Sequence, residues 1–148
     1  MIKAAATGLG SGFVPFAPGT AGTVVGIPLY LVFARFPWPL YLLSITAFAF
    51  LAVYVSGEAE GLFREKDASQ IVIDEIAGLQ FTLFLVTPTA WHMLCGFLLF
   101  RFFDIIKPFP ARLCEAKCPG GYGVVGDDVV AGIYGNVVLL AIIRFFGI

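Results

Sequence analysis

The sequence predicts an all-α, polytopic membrane helical bundle of about five hydrophobic helices, some of them short, with a polar site on its cytoplasmic face. Three observations predict it. Hydrophobic residues make up 59% of the chain and charged residues only 13%, with a mean hydropathy of +0.94, far from the balance of a soluble domain. The apolar residues gather in five stretches separated by proline turns or polar, glycine-rich segments. The few charged residues fall almost entirely at one end of those stretches.

The five stretches are Ala21–Phe36, Trp38–Ser56, Val72–Val86, Thr89–Phe103 and Val129–Phe146. A full crossing needs about 20 residues at ~1.5 Å rise each, and only the second and fifth approach that length. "RFPW" and "VTPT" are abrupt turns, because proline cannot continue a helix. "GEAEGLFREKDASQ" and the stretch from Lys107 to Gly126 are read as water-facing loops. At 148 residues the chain is expected to form a single domain, residues 1–148. Its first 20 residues contain no continuous apolar core of the kind a cleavable signal peptide requires.

Alternating the side at each crossing gathers Lys3, Arg64, Lys66, Arg101, Lys107, Arg112 and Lys117 on one face and leaves only Arg35 and Arg144 on the other. All ten acids, from Glu58 to Asp128, join the first group. The excess of Lys and Arg makes that face cytoplasmic. Trp38, Trp91 and His92 mark the opposite interface. A net charge of −1 supplies no basic surface for nucleic acid. Three cysteines, Cys95, Cys114 and Cys118, form no disulfide framework.

Four motifs on the charged face carry chemistry. In "IVIDEIAG", Asp74 and Glu75 open the third helix. One acid suits the helix dipole, but two exceed what a cap requires, so Glu75 is placed inward beside Gly78. In "GDDVVAGIYGN", Asp128 shares a face with Gly132 and Gly135, where a helix or ligand can approach closely, and Asp127 lies near the cap. In "RFFDIIKPFP", Arg101, Asp104 and Lys107 repeat every three residues before Pro108 ends the helix; a snorkelling surface lysine is the plain alternative for Lys107. In "FVPFAPGTAGT", a stiff loop delivers Gly19 and Thr20 to a helix N-terminus suited to an anion, with an ordinary N-cap as the plain alternative for Thr20.

Asp74, Glu75, Asp104, Asp127 and Asp128 together exceed their neighbouring bases, and a divalent cation resolves the repulsion. Oxygen-only ligands point to Mg²⁺, with Mn²⁺ possible, and not to zinc. With Thr20, Arg101 and Lys107 on the phosphate side, the set describes phosphoryl chemistry on a lipid. Glu75, Asp128 and Asp104 are the expected catalytic carboxylates, since His92 lies at the far face and cannot act as base. "CGFLLFR" has the spacing of a thiol phosphatase loop, but Cys95 lies about 9 Å from Arg101 along a helix and is read as core. Cys114 and Cys118 make an incomplete metal site.

The segments "GSGFVPFAPGTAGT", "DASQIVIDEIAG", "FRFFDIIKPFP" and "GGYGVVGDDVVAG", in this order and spacing, resemble the phosphatidylglycerophosphatase A family over about residues 10–132. The resemblance implies an all-helical, multi-pass enzyme of the bacterial inner membrane. It implies a metal-dependent lipid phosphatase that uses Mg²⁺ to convert phosphatidylglycerophosphate, an anionic phospholipid, to phosphatidylglycerol on the way to cardiolipin. Carried over by position, its polar motif residues are Thr20, Asp67, Asp74, Glu75, Arg101, Asp104, Lys107, Asp127 and Asp128. Two other readings compete. A lipid phosphotransferase shares acids at a membrane face but needs a spaced Asp-Gly and Ala-Arg run that is absent here. A small cation carrier needs acids at mid-membrane depth. Oligomeric state is not legible.

Overall fold

The computed structural model describes residues 1–147. Its elements are α1 (Ile2–Ala6), a 3₁₀ segment (Gly8–Phe13), α2 (Pro18–Phe33), α3 (Trp38–Phe63), α4 (Ile73–Thr82), α5 (Ala90–Ile106), α6 (Ala111–Lys117) and α7 (Gly121–Phe146). No strand occurs among the described residues. The expected all-helical bundle is present, with a helix in each of the five expected stretches and with α1, the 3₁₀ segment and α6 in addition.

α3 and α7 are long and apolar enough to cross a membrane, and α2 is a shorter apolar helix. At 26 residues each, α3 and α7 reach about 39 Å, some 9 Å more than a bilayer's hydrocarbon core. The surplus corrects two expected boundaries. α3 runs past Ser56 to Phe63 and ends at Arg64 in a left-handed conformation (φ 56°), so half of the expected first polar loop is helix. α7 begins at Gly121, not Val129, which moves Asp127 and Asp128 from the helix mouth into its second turn. Hydropathy marks where a helix leaves the lipid; hydrogen bonding continues beyond it.

α4 is the central element. Eight of its ten residues are buried, and it packs against α2, α3, α5 and α7. Its length of about 15 Å is half a bilayer. The expected third helix, Val72–Val86, is therefore cut at Thr82, because side chains from other helices capture the carbonyls that would have continued it. Asn136 Nδ2 donates to Thr82 O at 2.9 Å and Phe84 O at 2.7 Å. The Tyr30 hydroxyl donates to Val86 O at 2.8 Å, and His92 Nδ1 lies 2.9 Å from Thr87 O. Irregular backbone buried away from water is tolerable only when the protein itself satisfies it in this way.

Two glycines allow α4 and α7 to cross. A Cβ on Gly132 would overlap Gly78 O, and a Cβ on Gly78 would stand 2.8 Å from Asp128 O and 2.5 Å from Phe100. In lipid, where the hydrophobic effect does not draw helices together, such small-residue contacts supply the packing. The crossing fixes the level of Asp128 against the first turn of α4.

The interior divides into two clusters. One, rich in alanine, joins Ala52, Val55, Ala59, Ala77 and Val124 near the charged end. The other packs larger side chains, Tyr30, Tyr41, Leu79, Phe100 and Leu139, toward the other end. Large apolar side chains such as Leu43, Phe50, Leu98, Val137 and Phe145 are exposed on the outside, as a lipid-facing surface requires.

Candidate active site

At the charged end, Phe16–Thr20, Asp67–Ser69, Ile71, Asp74, Glu75 and Arg101 line a mostly polar cavity of about 440 Å³. Each wall has a local cause. Pro18 occupies the first turn of α2, where its missing N–H costs nothing, and the N-cap is Ala17, with no side-chain capping bond. Thr20 is therefore not the N-cap; it sits two residues inside the helix, facing the cavity. The first helical hydrogen bond of α2 is Ala21 N–H to Ala17 O, at 3.1 Å. The N–H groups of Gly19 and Thr20 precede it and belong to the unpaired first turn.

A Cβ on Gly19 would run into Glu75 Oε1 and stand 3.1 Å from Arg101 Nη1, so a larger residue would have to push both site side chains aside. The α2 backbone thus lies directly against the carboxylate and the guanidinium. On the opposite wall, Asp74 and Glu75 occupy the first turn of α4, whose N-cap, Val72, has no side-chain capping bond. Asp74 is the more deeply buried of the two, contrary to the inward placement expected for Glu75 alone.

Asp74, Glu75 and Asp128 each offer a carboxylate oxygen such that all three lie within 4.8 Å of one another. Asp74 Oδ1, Glu75 Oε2 and Asp128 Oδ2 are buried and have no hydrogen-bond partner. Three converging carboxylates in a protein interior, each with an unpartnered oxygen, are costly as anions unless a cation joins them. The set is all oxygen, which suits a hard divalent ion. These residues therefore fit a metal.

The other two expected ligands lie elsewhere. Asp104 Oδ2 is 2.8 Å from Arg101 Nη1, and Glu75 Oε1 is 3.8 Å from the same nitrogen; Arg101 Nε is buried and unpartnered. Asp127, 4% exposed, pairs at 2.5 Å with Lys107 Nζ, which also meets Glu115 at 3.1 Å. Asp127 Oδ1 accepts from the Asp128 N–H at 3.0 Å, so the pair braces the backbone that carries Asp128. Asp127 is no helix cap. Burial pulls the Lys107 proton affinity down, but bonding to Asp127 and Glu115 more than reverses this and raises it, keeping the ammonium charged. Lys107 does not line the cavity.

Asp67 lies on the cavity wall at a left-handed position (φ 50°), with its N–H donating to Glu60 Oε1 at 2.8 Å. Burial pushes its carboxyl above the usual range, and Lys107 partly offsets this. The motif comparison named Asp67, but charge counting did not, since nothing local distinguishes it from a surface loop acid. Ser69 and Glu115 were missed for the same reason.

The rejected groups are where the sequence put them. His92 is in the first turn of α5, nine residues from Arg101 and so about 14 Å along the helix. Cys95 is half-buried within α5 among the larger cluster. Cys114 and Cys118 are free thiols at the two ends of one α6 turn.

A Bacteroides thetaiotaomicron protein provisionally named a phosphatidylinositol-3-phosphatase is 39% identical over 94% of this chain and 91% of its own length. The Escherichia coli phosphatidylglycerophosphatase A is 35% identical over 86% of this chain and 75% of its own. Its Haemophilus influenzae namesake is 37% identical over 95% and 88%. No solved structure matches the chain. The family model described as phosphatidylglycerophosphatase A matches residues 4–143, and this protein is a member of that family.

Proposed function

We propose that the protein is an Mg²⁺-dependent phosphatase that hydrolyses the terminal phosphomonoester of phosphatidylglycerophosphate, giving phosphatidylglycerol for cardiolipin synthesis. In this reading it is a multi-pass protein of the bacterial inner membrane with its site toward the cytoplasm. The observation that carries the proposal is the convergence of the Asp74, Glu75 and Asp128 carboxylates, each with a buried oxygen that lacks a hydrogen-bond partner, beside Arg101 and the N-terminus of α2. An anion receptor and a cation receptor sharing one cavity at the charged end of an apolar bundle suit a lipid phosphate.

Asp74, Glu75 and Asp128 would hold Mg²⁺, which supplies charge neutralisation and polarisation of a phosphoryl oxygen. Arg101, steadied by Asp104, binds the phosphate through its guanidinium. The Gly19 and Thr20 N–H groups and the Thr20 hydroxyl take a further oxygen. Lys107 acts through Asp127, holding the α7 turn that presents Asp128. No histidine is within reach, so a carboxylate must take the proton of the attacking water. Asp67, on the wall, outside the three-oxygen cluster and with raised proton affinity, is the base in this scheme. The water oxygen attacks phosphorus, the bond to the glycerol oxygen breaks, and the released alcohol recovers a proton.

The 39% identical relative named for phosphatidylinositol 3-phosphate favours a second substrate of the same class, a phosphomonoester on a phospholipid headgroup. Phosphate release should be measured from phosphatidylglycerophosphate, phosphatidylinositol 3-phosphate and phosphatidic acid, each with Mg²⁺ and with EDTA. The proposal expects Mg²⁺-dependent release, fastest from phosphatidylglycerophosphate. Metal-independent release, or preference for another lipid, overturns the corresponding part.

A further inference from the structure

We infer that the seam between α2 and α5 is an acyl-chain site that holds the lipid substrate with its phosphate in the polar cavity. The inference rests on the lipid phosphatase reading of that cavity. Val24 and Ile27 of α2 and Ala90, Met93, Leu94 and Phe97 of α5 line an almost wholly apolar cleft of about 340 Å³.

Helical periodicity joins cleft to cavity. On α2 the cavity residue Thr20 is followed at four and seven residues by Val24 and Ile27. On α5 the cavity residue Arg101 is preceded at four, seven and eleven residues by Phe97, Leu94 and Ala90. Both are single-face stripes, polar at the top and apolar below. From Arg101 to Ala90 the stripe descends about 16 Å. α2 and α5 contact each other only sparsely, and Val24 and Leu94 are half exposed, so the cleft opens sideways to lipid. A substrate whose phosphate meets Arg101 and Thr20 must send its tail somewhere apolar, and both helices that line this cleft, α2 and α5, also carry polar cavity wall. The apolar groove between α3 and α7, lined by Ala49, Phe50, Phe81 and Tyr122 among others, is the competing location. Neither α3 nor α7 contributes to the polar cavity, and that groove is tied to it only through Phe81 of α4.

The test uses the full chain in detergent micelles with two substrates, dioleoyl and dihexanoyl phosphatidylglycerophosphate. Ile27→Trp and Met93→Trp fill the cleft, and Ala49→Trp fills the competing groove. KM for the dioleoyl lipid should rise roughly tenfold or more in the two cleft variants, with kcat/KM for the dihexanoyl lipid within about twofold of wild type and Ala49→Trp unaffected on both. Equal loss on both substrates, or a loss confined to Ala49→Trp, overturns the acyl-chain site. A phosphatidylglycerophosphate bearing a photoreactive diazirine on one acyl chain gives a readout without substitution: crosslinks should map to α2 and α5, and crosslinks confined to α3 and α7 overturn the inference. If wild type hydrolyses neither lipid, the phosphatase reading has failed, whereas the crosslink map still decides where the chain lies.

Discussion

The ammonium of Lys107, the residue that closes α5, meets the buried carboxylate of Asp127 in α7 at 2.5 Å, and through Asp127 it braces the backbone of Asp128. Removing one member of a buried pair leaves the other uncompensated, at a cost of roughly 3–5 kcal/mol when both are fully buried. Lys107 is a quarter exposed, so Lys107→Met should cost less than that. Thermal unfolding should show Lys107→Met more destabilised than the Lys107→Met/Asp127→Asn double variant. A double variant no more stable than the single would show that the pair does not support α7.

Asp128→Asn and Glu75→Gln should each lower phosphate release by about a hundredfold or more, if each carboxylate neutralises charge in the transition state. Their stability should move the opposite way. With EDTA, loss of a like charge from the cluster should leave the melting temperature equal or higher. Excess Mg²⁺ should stabilise wild type by about 2.7 kcal/mol at a hundred times its Kd, and this increment should shrink in both variants. The same Mg²⁺ increment in Asp128→Asn as in wild type removes Asp128 from the ligand set.

Gly132→Ala should be among the most damaging single-methyl additions in the chain, because its Cβ meets the backbone of Gly78 and no flexible side chain can move aside. Overpacking of this kind costs about 1–3 kcal/mol and would part α4 from α7. Gly61→Ala, in α3 with open space around it, is the control and should be neutral or stabilising, since Ala favours a helix over Gly. Melting curves of the two purified variants decide this.

Asn136→Leu leaves the carbonyls of Thr82 and Phe84 without their donor. Each buried unsatisfied acceptor costs about 1–3 kcal/mol, so this variant should lose stability, with faster hydrogen exchange in the segment after α4. Asn136→Gln keeps the amide and should be partly restored. Unchanged exchange in Asn136→Leu would mean that α4 ends for another reason.

Burial raises the proton affinity of Asp67, and a general base must be deprotonated. Activity should therefore fall on acidification through a pH above the ordinary carboxylate range, and the retained activity of Asp67→Asn should lack that limb. An Asp67→Asn enzyme with an unaltered pH–rate profile excludes Asp67 as the base.

Much of the architecture was legible because it is written locally. The proline turns "RFPW" and "VTPT" separate helices as read, and four of the motif residues, Asp67, Asp74, Glu75 and Arg101, line one cavity. The end of α4 was not legible, because "FTLFLV" is as apolar as any helix and its carbonyls are taken by Tyr30 and Asn136, far away in sequence. The role of Asp127 was misread for a related reason. Its partner Lys107 is 20 residues distant, and a hydropathy boundary at Val129 made a buried ion-paired residue look like a cap.

The sequence alone determined the membrane-helical class, the charged face and the motif residues, since hydropathy, proline placement and charge order are properties of neighbouring residues. Only the tertiary structure decided which of five carboxylates converge. That choice depends on the Gly78–Gly132 crossing, which sets the height of Asp128 against the first turn of α4, and on the cations that draw Asp104 and Asp127 away.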